Sequence, residues 1–185
     1  NSKHLVFTDV LGLLRPGDVV VVNDTKVIPS RLVGRKPTGA HCEVLLLKPW
    51  IGKADCPTSF SNVIKSRSFF ESQIWEALVR PGGKLKPGRI VEVGDDLQIE
   101  ILEVLPGGNR IVRLVSRDTV EKIFKKYGRI PLPPYLNREE EELDRHRYQT
   151  VYSKNPGSVA APTAGLHFTP NLLKAINSKG VECVP

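Results

Sequence analysis

The residues best suited to chemistry sit in one decapeptide, Val159-Ala160-Ala161-Pro162-Thr163-Ala164-Gly165-Leu166-His167-Phe168. Small side chains, a proline and a glycine let its backbone come close to another group. Thr163 and His167 then offer a hydroxyl and an imidazole at that place. An imidazole with an unperturbed pKa near ~6.5 suits proton transfer at neutral pH. A helix start follows directly. Thr169 is a cap, Pro170 suits the first turn, and the apolar residues of 171–176 have helical spacing, which predicts a helix over 170–179. The N-terminus of such a helix presents amide groups and a favourable dipole to anionic ligand groups. The same decapeptide also reads as a tight loop packed on the core, with His167 buried and satisfied.

These residues need a scaffold, and the rest of the chain predicts one. Val19-Val20-Val21-Val22 is a continuous β-branched run, which reads as a strand buried on both faces, as in a parallel or mixed sheet. Asn23-Asp24-Thr25-Lys26 ends it, and in open α/β sheets ligands sit at the carboxyl end of a strand. Residues 8–14 read as a short helix capped by Thr8 or Asp9, and residues 15–18 as a turn. From residue 31 the texture changes. Segments 31–35, 42–47, 74–79, 89–93, 97–104 and 110–115 alternate in part and are separated by glycine- and proline-containing turns, which predicts a small sandwich or closed barrel. Residues 49–68 lack periodicity and read as a long exposed loop. Residues 119–127 form an amphipathic helix ended by Gly128. Residues 131–135 are stiff and extended. Glu139 to Glu142 with Asp144 read as a solvated acidic face. The expected architecture is α/β plus β: a mixed-sheet α/β domain of residues 1–30 and 137–185, with a small β-barrel domain of residues 31–136 inserted in it.

Composition narrows the function classes. Of 185 residues, 40% are apolar, enough for a core and too many for a disordered chain. No apolar run approaches the ~20 residues that span a bilayer. The polar start reads as lacking a signal peptide. Cys42, Cys56 and Cys183 make no CxxC pair and no zinc pattern with His4, His41, His146 or His167, and read as free thiols of a reducing compartment. The net charge of +7 is uneven: residues 1–90 carry 14 Lys/Arg against 7 Asp/Glu, and residues 91–185 carry 13 of each. A basic region mostly between Lys26 and Arg89 suits a polyanion such as nucleic acid, or serves ordinary solubility.

Three segments, in order, resemble the signature motifs of the S-adenosylmethionine:tRNA ribosyltransferase-isomerases of the queuosine pathway. They are residues 23–32, beginning Asn23-Asp24-Thr25; residues 128–135, Gly128-Arg129-Ile130-Pro131-Leu132-Pro133-Pro134-Tyr135; and residues 144–168, which end in the decapeptide. The resemblance covers nearly the whole chain except 49–68, a loop longer than the family usually has. Lys26 stands where arginine is common, and against the family the chain reads as truncated at both ends.

The resemblance implies an α/β domain with an inserted β-barrel. It implies transfer and isomerisation of the ribosyl part of S-adenosylmethionine onto 7-aminomethyl-7-deazaguanine at the tRNA wobble position. The product is epoxyqueuosine, and adenine and methionine leave. The implied partners are tRNA and S-adenosylmethionine, with no metal or further cofactor, and the implied setting is a monomer in the cytoplasm. The sulfonium charge acidifies the C5′ protons, so a base there makes an ylide. His167 and Thr163 are the candidate catalytic residues. Thr163 and the amides of Ala164 and Gly165 are candidates for the methionine carboxylate, and Asn23 and Thr25 for ribose hydroxyls. Arg31 suits bidentate pairing with a carboxylate or phosphate, and Tyr135 completes the substrate-binding set. Each also has a structural reading: Asn23 as a turn residue, Arg31 as an ion pair, Tyr135 and Tyr148 as core aromatics. Asn23, Thr25, Thr163, Gly165 and His167 are expected around one concave region near the domain junction. Two other readings stand beside the enzyme: a non-catalytic basic RNA-binding barrel, and an inactive fragment that does not turn over alone.

Overall fold

A computed structural model describes residues 4–50, 73–133, 136, 138 and 140–185. They divide into two compact units, 1–27 with 141–185 and, between them in sequence, 28–140. The first unit opens with a 3-10 turn, Phe7–Asp9, running into helix α1, Val10–Leu13. Asp9 does not cap that helix with its side chain; its carboxylate accepts from the Val6 amide at 3.0 Å. Strands β1, Val19–Val21, and β2, Thr25–Val27, follow.

The second unit is the barrel. Strands β3 (Arg31–Arg35), β4 (His41–Pro49), β5 (Ile74–Arg80), β6 (Ile90–Val93), β7 (Leu97–Val104) and β8 (Arg110–Val115) close antiparallel in the order β3-β4-β5-β8-β7-β6. Alternation explains why. Along β7, Leu97, Ile99 and Ile101 are buried while Gln98 and Glu100 are not, so one face supplies core and the other meets water. Helix α2, Val120–Tyr127, adds Ile123 and Phe124 to the same core, with the Phe124 ring edge-on to Trp75 at 5.6 Å. Thr119 caps it, accepting from the Lys122 amide. Gly128 ends the helix without the left-handed conformation that favours glycine, at φ −71°. Close approach requires glycine there instead, because a Cβ would overlap the carbonyl oxygens of Pro29 and Phe124. The loop expected over 49–68 lies, from residue 51 on, outside the described residues.

The chain then returns to the first unit with α3 (Glu142–Arg147), β9 (Asn155–Ser158), a 3-10 turn (Thr163–His167), α4 (Pro170–Ser178) and β10 (Glu182–Val184). Two parallel pairs join the segments: β1 with β10, Val20 opposite Cys183, and β2 with β9, Thr25 opposite Asn155. Leu172, Ile176 and Val181 form its core with Val10, Leu11, Leu14 and Val20 packed against them. The fold class is therefore α/β with an inserted closed barrel. Helix α4 starts as expected, Thr169 accepting from the Leu172 amide at 3.1 Å with Pro170 behind it.

Two expectations are corrected. The valine run is parallel-paired but not buried on both faces: Val19 is 55% and Val21 77% exposed, and Val20 alone packs into the core. Only the face that carries Val20 meets the cluster of Leu172, Ile176 and Val181, so Val19 and Val21 on the other face are left in solvent. The acidic run is not simply a solvated face. Asp144 is buried and accepts from the Glu141 amide at 2.9 Å at the start of α3, and Glu140 accepts from Ile130 N–H at 3.0 Å. Carboxylates at a helix start satisfy amides that would otherwise lack partners.

No helix among the described residues is long and apolar enough to cross a membrane.

Candidate active site

The pairing of β2 with β9 brings two distant polar segments side by side. The Asp24 carbonyl accepts from the amides of Lys154 (2.7 Å) and Asn155 (3.2 Å), and the Asn155 side chain donates to the Asp24 carboxylate at 2.8 Å. The Gln149 side chain clamps the end of β2 from both sides. Its Oε1 accepts from Val27 N–H at 2.9 Å and its Nε2 donates to the Val27 carbonyl at 2.8 Å. A side-chain amide thus completes the backbone pairing that a third strand would make. Asn23 is exposed, and its Oδ1 accepts from Thr25 N–H at 3.0 Å, so it does form the turn. Thr25 Oγ1 is buried with no hydrogen-bond partner among the described residues. A polar group so placed costs about 1–3 kcal/mol unless something satisfies it.

Five residues beyond the end of β9, the 3-10 turn Thr163–His167 begins. Its small residues have a specific reason. Gly165 is buried, and a Cβ there would overlap the Tyr152 hydroxyl and come within 2.8 Å of Thr150 Cγ2. The loop is packed, as one reading had it, but His167 is exposed rather than buried. Its ring stacks on Phe7 with centroids 5.1 Å apart, and Phe7 also meets Phe168 edge-on at 5.0 Å. Tyr152 meets Phe168 edge-on at 6.0 Å, and burial pushes its phenol above the usual range, with the Cys183 charge adding to the shift. Stacking on Phe7 therefore orients the exposed imidazole.

Backbone donors are fewer than the sequence suggested. Gly165 N–H donates to the Pro162 carbonyl at 2.7 Å, which leaves the exposed Ala164 amide and Thr163 hydroxyl at the start of the turn. At the α4 terminus, Pro170 has no N–H, and Thr169 accepts from Leu172 through Oγ1 and from Leu173 through its carbonyl. That helix end largely satisfies itself.

Arg31 belongs to the other unit. In the barrel it donates to Glu43 through Nε (3.2 Å) and Nη2 (2.8 Å), the bidentate carboxylate pairing its chemistry favours. The same guanidinium holds the Glu43 carboxyl below its usual range. Tyr135 lies outside the described residues. Sequence reasoning missed Phe7, Gln149, Thr150 and Tyr152. The last three lie within 144–168, but neither periodicity nor residue type marks a side chain whose role is to hold a loop.

A split α/β unit with an inserted closed barrel, and a polar loop whose glycine is held by side-chain contacts, defines the class. The whole chain, residues 1–185, matches the family model described as queuosine biosynthesis protein, and the chain belongs to that family. It is 45% identical over 184 residues to the S-adenosylmethionine:tRNA ribosyltransferase-isomerase of Desulfitobacterium hafniense, covering 98% of this chain and 48% of that protein. It is 41% identical to the enzyme of that name from Aquifex aeolicus, covering 97% and 47%. A crystal structure of S-adenosylmethionine tRNA ribosyltransferase from Thermotoga maritima aligns over 98% of this chain and 44% of its own, at 26% identity and a TM-score of 0.38. The chain spans about half the length of the curated relatives it matches.

Proposed function

We propose that this chain serves the transfer and isomerisation of the ribosyl moiety of S-adenosylmethionine onto 7-aminomethyl-7-deazaguanine at the tRNA wobble position, giving epoxyqueuosine with release of adenine and methionine. The observation that carries the reading is the β2–β9 pairing. It sets residues 25–27 beside 155–158, directly before the turn that presents Thr163 and His167. Two motif segments far apart in sequence thus share one scaffold, which a local accident of spacing would not produce.

In this reading the exposed imidazole of His167 takes a C5′ proton from the sulfonium substrate, with Phe7 holding the ring plane. Thr163 Oγ1 and the Ala164 amide receive the methionine carboxylate. Asn23 and the buried Thr25 hydroxyl receive the ribose hydroxyls, which would satisfy Thr25 Oγ1. Arg31 is a structural ion pair and takes no part. S-adenosylmethionine is a co-substrate, and no other cofactor is invoked. One copy of the chain supplies every residue named, which suits a monomer. Cys42 and Cys183 are free thiols, which suits the cytoplasm.

Calorimetric titration of S-adenosylmethionine, with adenine release followed in the presence of substrate tRNA, tests the proposal. One-to-one binding is expected. His167→Ala should slow adenine release by about 10²- to 10⁴-fold while leaving that binding within a few-fold. A chain that takes up no S-adenosylmethionine would remove the reading.

A further inference from the structure

Outside the site just described, four cations converge on the barrel. Lys36, Lys84, Lys86 and Arg89 line one concavity of about 500 Å³, with Thr38 and Gly83 beside them. No carboxylate lines it, and among the described residues no ion pair engages any of the four. Elsewhere on the barrel unit several cations are paired: Arg31 with Glu43, Lys48 with Glu76, Arg113 with Glu100, Lys122 with Asp118 and Lys126 with Asp96.

The fold holds this cluster in place. Leu85, between the two lysines, is fully buried. The buried Arg110 guanidinium donates to the Leu85 carbonyl at 3.0 Å and to the Gly82 carbonyl at 2.7 Å. The turn bearing Lys84 and Lys86 is thus anchored on the barrel although both side chains are exposed. Lys36 arrives by register. Arg35 lies opposite Glu92 across the antiparallel β3–β6 contact, so the residues after Arg35 run toward those before Glu92, where Arg89 stands. Like charges held in one hollow repel one another, and a polyanion relieves that repulsion. Arg89 adds a fork suited to phosphate oxygens, and the lysines add point charges.

We infer that this face of the barrel binds the phosphodiester backbone of an RNA strand. The choice of RNA among polyanions rests on the tRNA reading above. The site shares no residue with the set assigned to S-adenosylmethionine, and it narrows the basic half of the chain to four side chains.

The experiment is fluorescence anisotropy of labelled, unmodified tRNA with this chain over a range of salt. Lys84→Ala/Lys86→Ala/Arg89→Ala is compared with a control of equal charge change, Arg117→Ala/Lys122→Ala/Lys125→Ala. All six side chains are exposed, so both variants should fold. The pocket variant should bind tRNA at least about tenfold more weakly at low salt, with the slope of log K against log salt shallower by about two to three. The control should stay within about twofold of wild type at the same salt. Equal loss in both variants, or loss in neither, overturns the inference while leaving the catalytic reading intact. Pocket-dependent binding of poly-glutamate or of phosphatidylglycerol vesicles at an affinity matching tRNA also overturns it, since the partner would then be an acidic polypeptide or a membrane. A wild-type chain that takes up S-adenosylmethionine but no tRNA overturns the pocket alone. A chain that takes up neither overturns the functional reading and the pocket together.

Discussion

Among the described residues, every barrel strand finds its neighbours within residues 28–140, whereas in the split unit each strand has one neighbour, and it comes from the far side of the barrel in sequence. The barrel closes on itself and buries a continuous core that includes Trp75, Leu46 and Ile99. The split unit rests on two parallel pairs of three residues each and a small cluster around Ile176. Long-range parallel pairing requires a large loop to close before any contact rewards it. The difference teaches where to look for function. Sites that bind and move are drawn from the less stable parts of a fold, and the residues assigned to chemistry lie in the split unit.

The contrast predicts unequal responses to substitution. Phe124→Ala should have the largest effect, about 3–5 kcal/mol lost from the barrel by cavity formation. Trp50 and Trp75 both lie in the barrel, so tryptophan fluorescence in a urea titration reports this unit. An unchanged midpoint would break the picture of a single tightly packed core.

Gly165→Ala should come next, at about 1–3 kcal/mol of overpacking against Tyr152 and Thr150. Because the strain falls on the split unit, S-adenosylmethionine titration should weaken by at least about tenfold, with the tryptophan transition unmoved. A shift in that transition would mean that the two units respond as one.

Matched cap deletions sharpen the comparison further. Thr119→Ala and Thr169→Ala each remove a hydroxyl that accepts from the amide three residues on. Each should cost about 1 kcal/mol. The first should move the tryptophan transition, and the second should move the hydrogen-exchange protection of α4 and β10.

The smallest effect is electrostatic. Arg31 holds the Glu43 carboxyl below its usual range, so Glu43 stabilises the barrel above the unfolded carboxylate pKa of about 4.3. That contribution is lost as pH falls through the lower, folded value. The pair is partly exposed, so the term should stay under about 1 kcal/mol. Glu43→Gln should flatten the acid limb of barrel stability below about pH 4.3, and an unaltered limb would show that the pair carries no such term.

How much was legible from sequence also follows the division. The six barrel strands and α2 were readable because alternation and turn residues are local signals, and β7 at 97–104 was located to the residue. Helix α4 was readable from Thr169 and Pro170. The burial of Val19 and Val21 was not, since a β-branched run looks the same whether one or two faces are covered. Asp144 looked solvated because its partner, the Glu141 amide, is a matter of helix capping rather than of charge pattern.

By itself the sequence determined the local elements, the insertion of a barrel between two segments, and the membership of the decapeptide in a motif, because all three depend on residue type and order. Tertiary structure decided which segments meet. It gave Arg31 to Glu43, used the Gly165 amide within its own turn, set Phe7 against His167, and gathered Lys36, Lys84, Lys86 and Arg89 into one hollow. The physical reason is that a side chain's partner is chosen by register, closure and packing between residues far apart in sequence, and no periodicity along the chain records that choice.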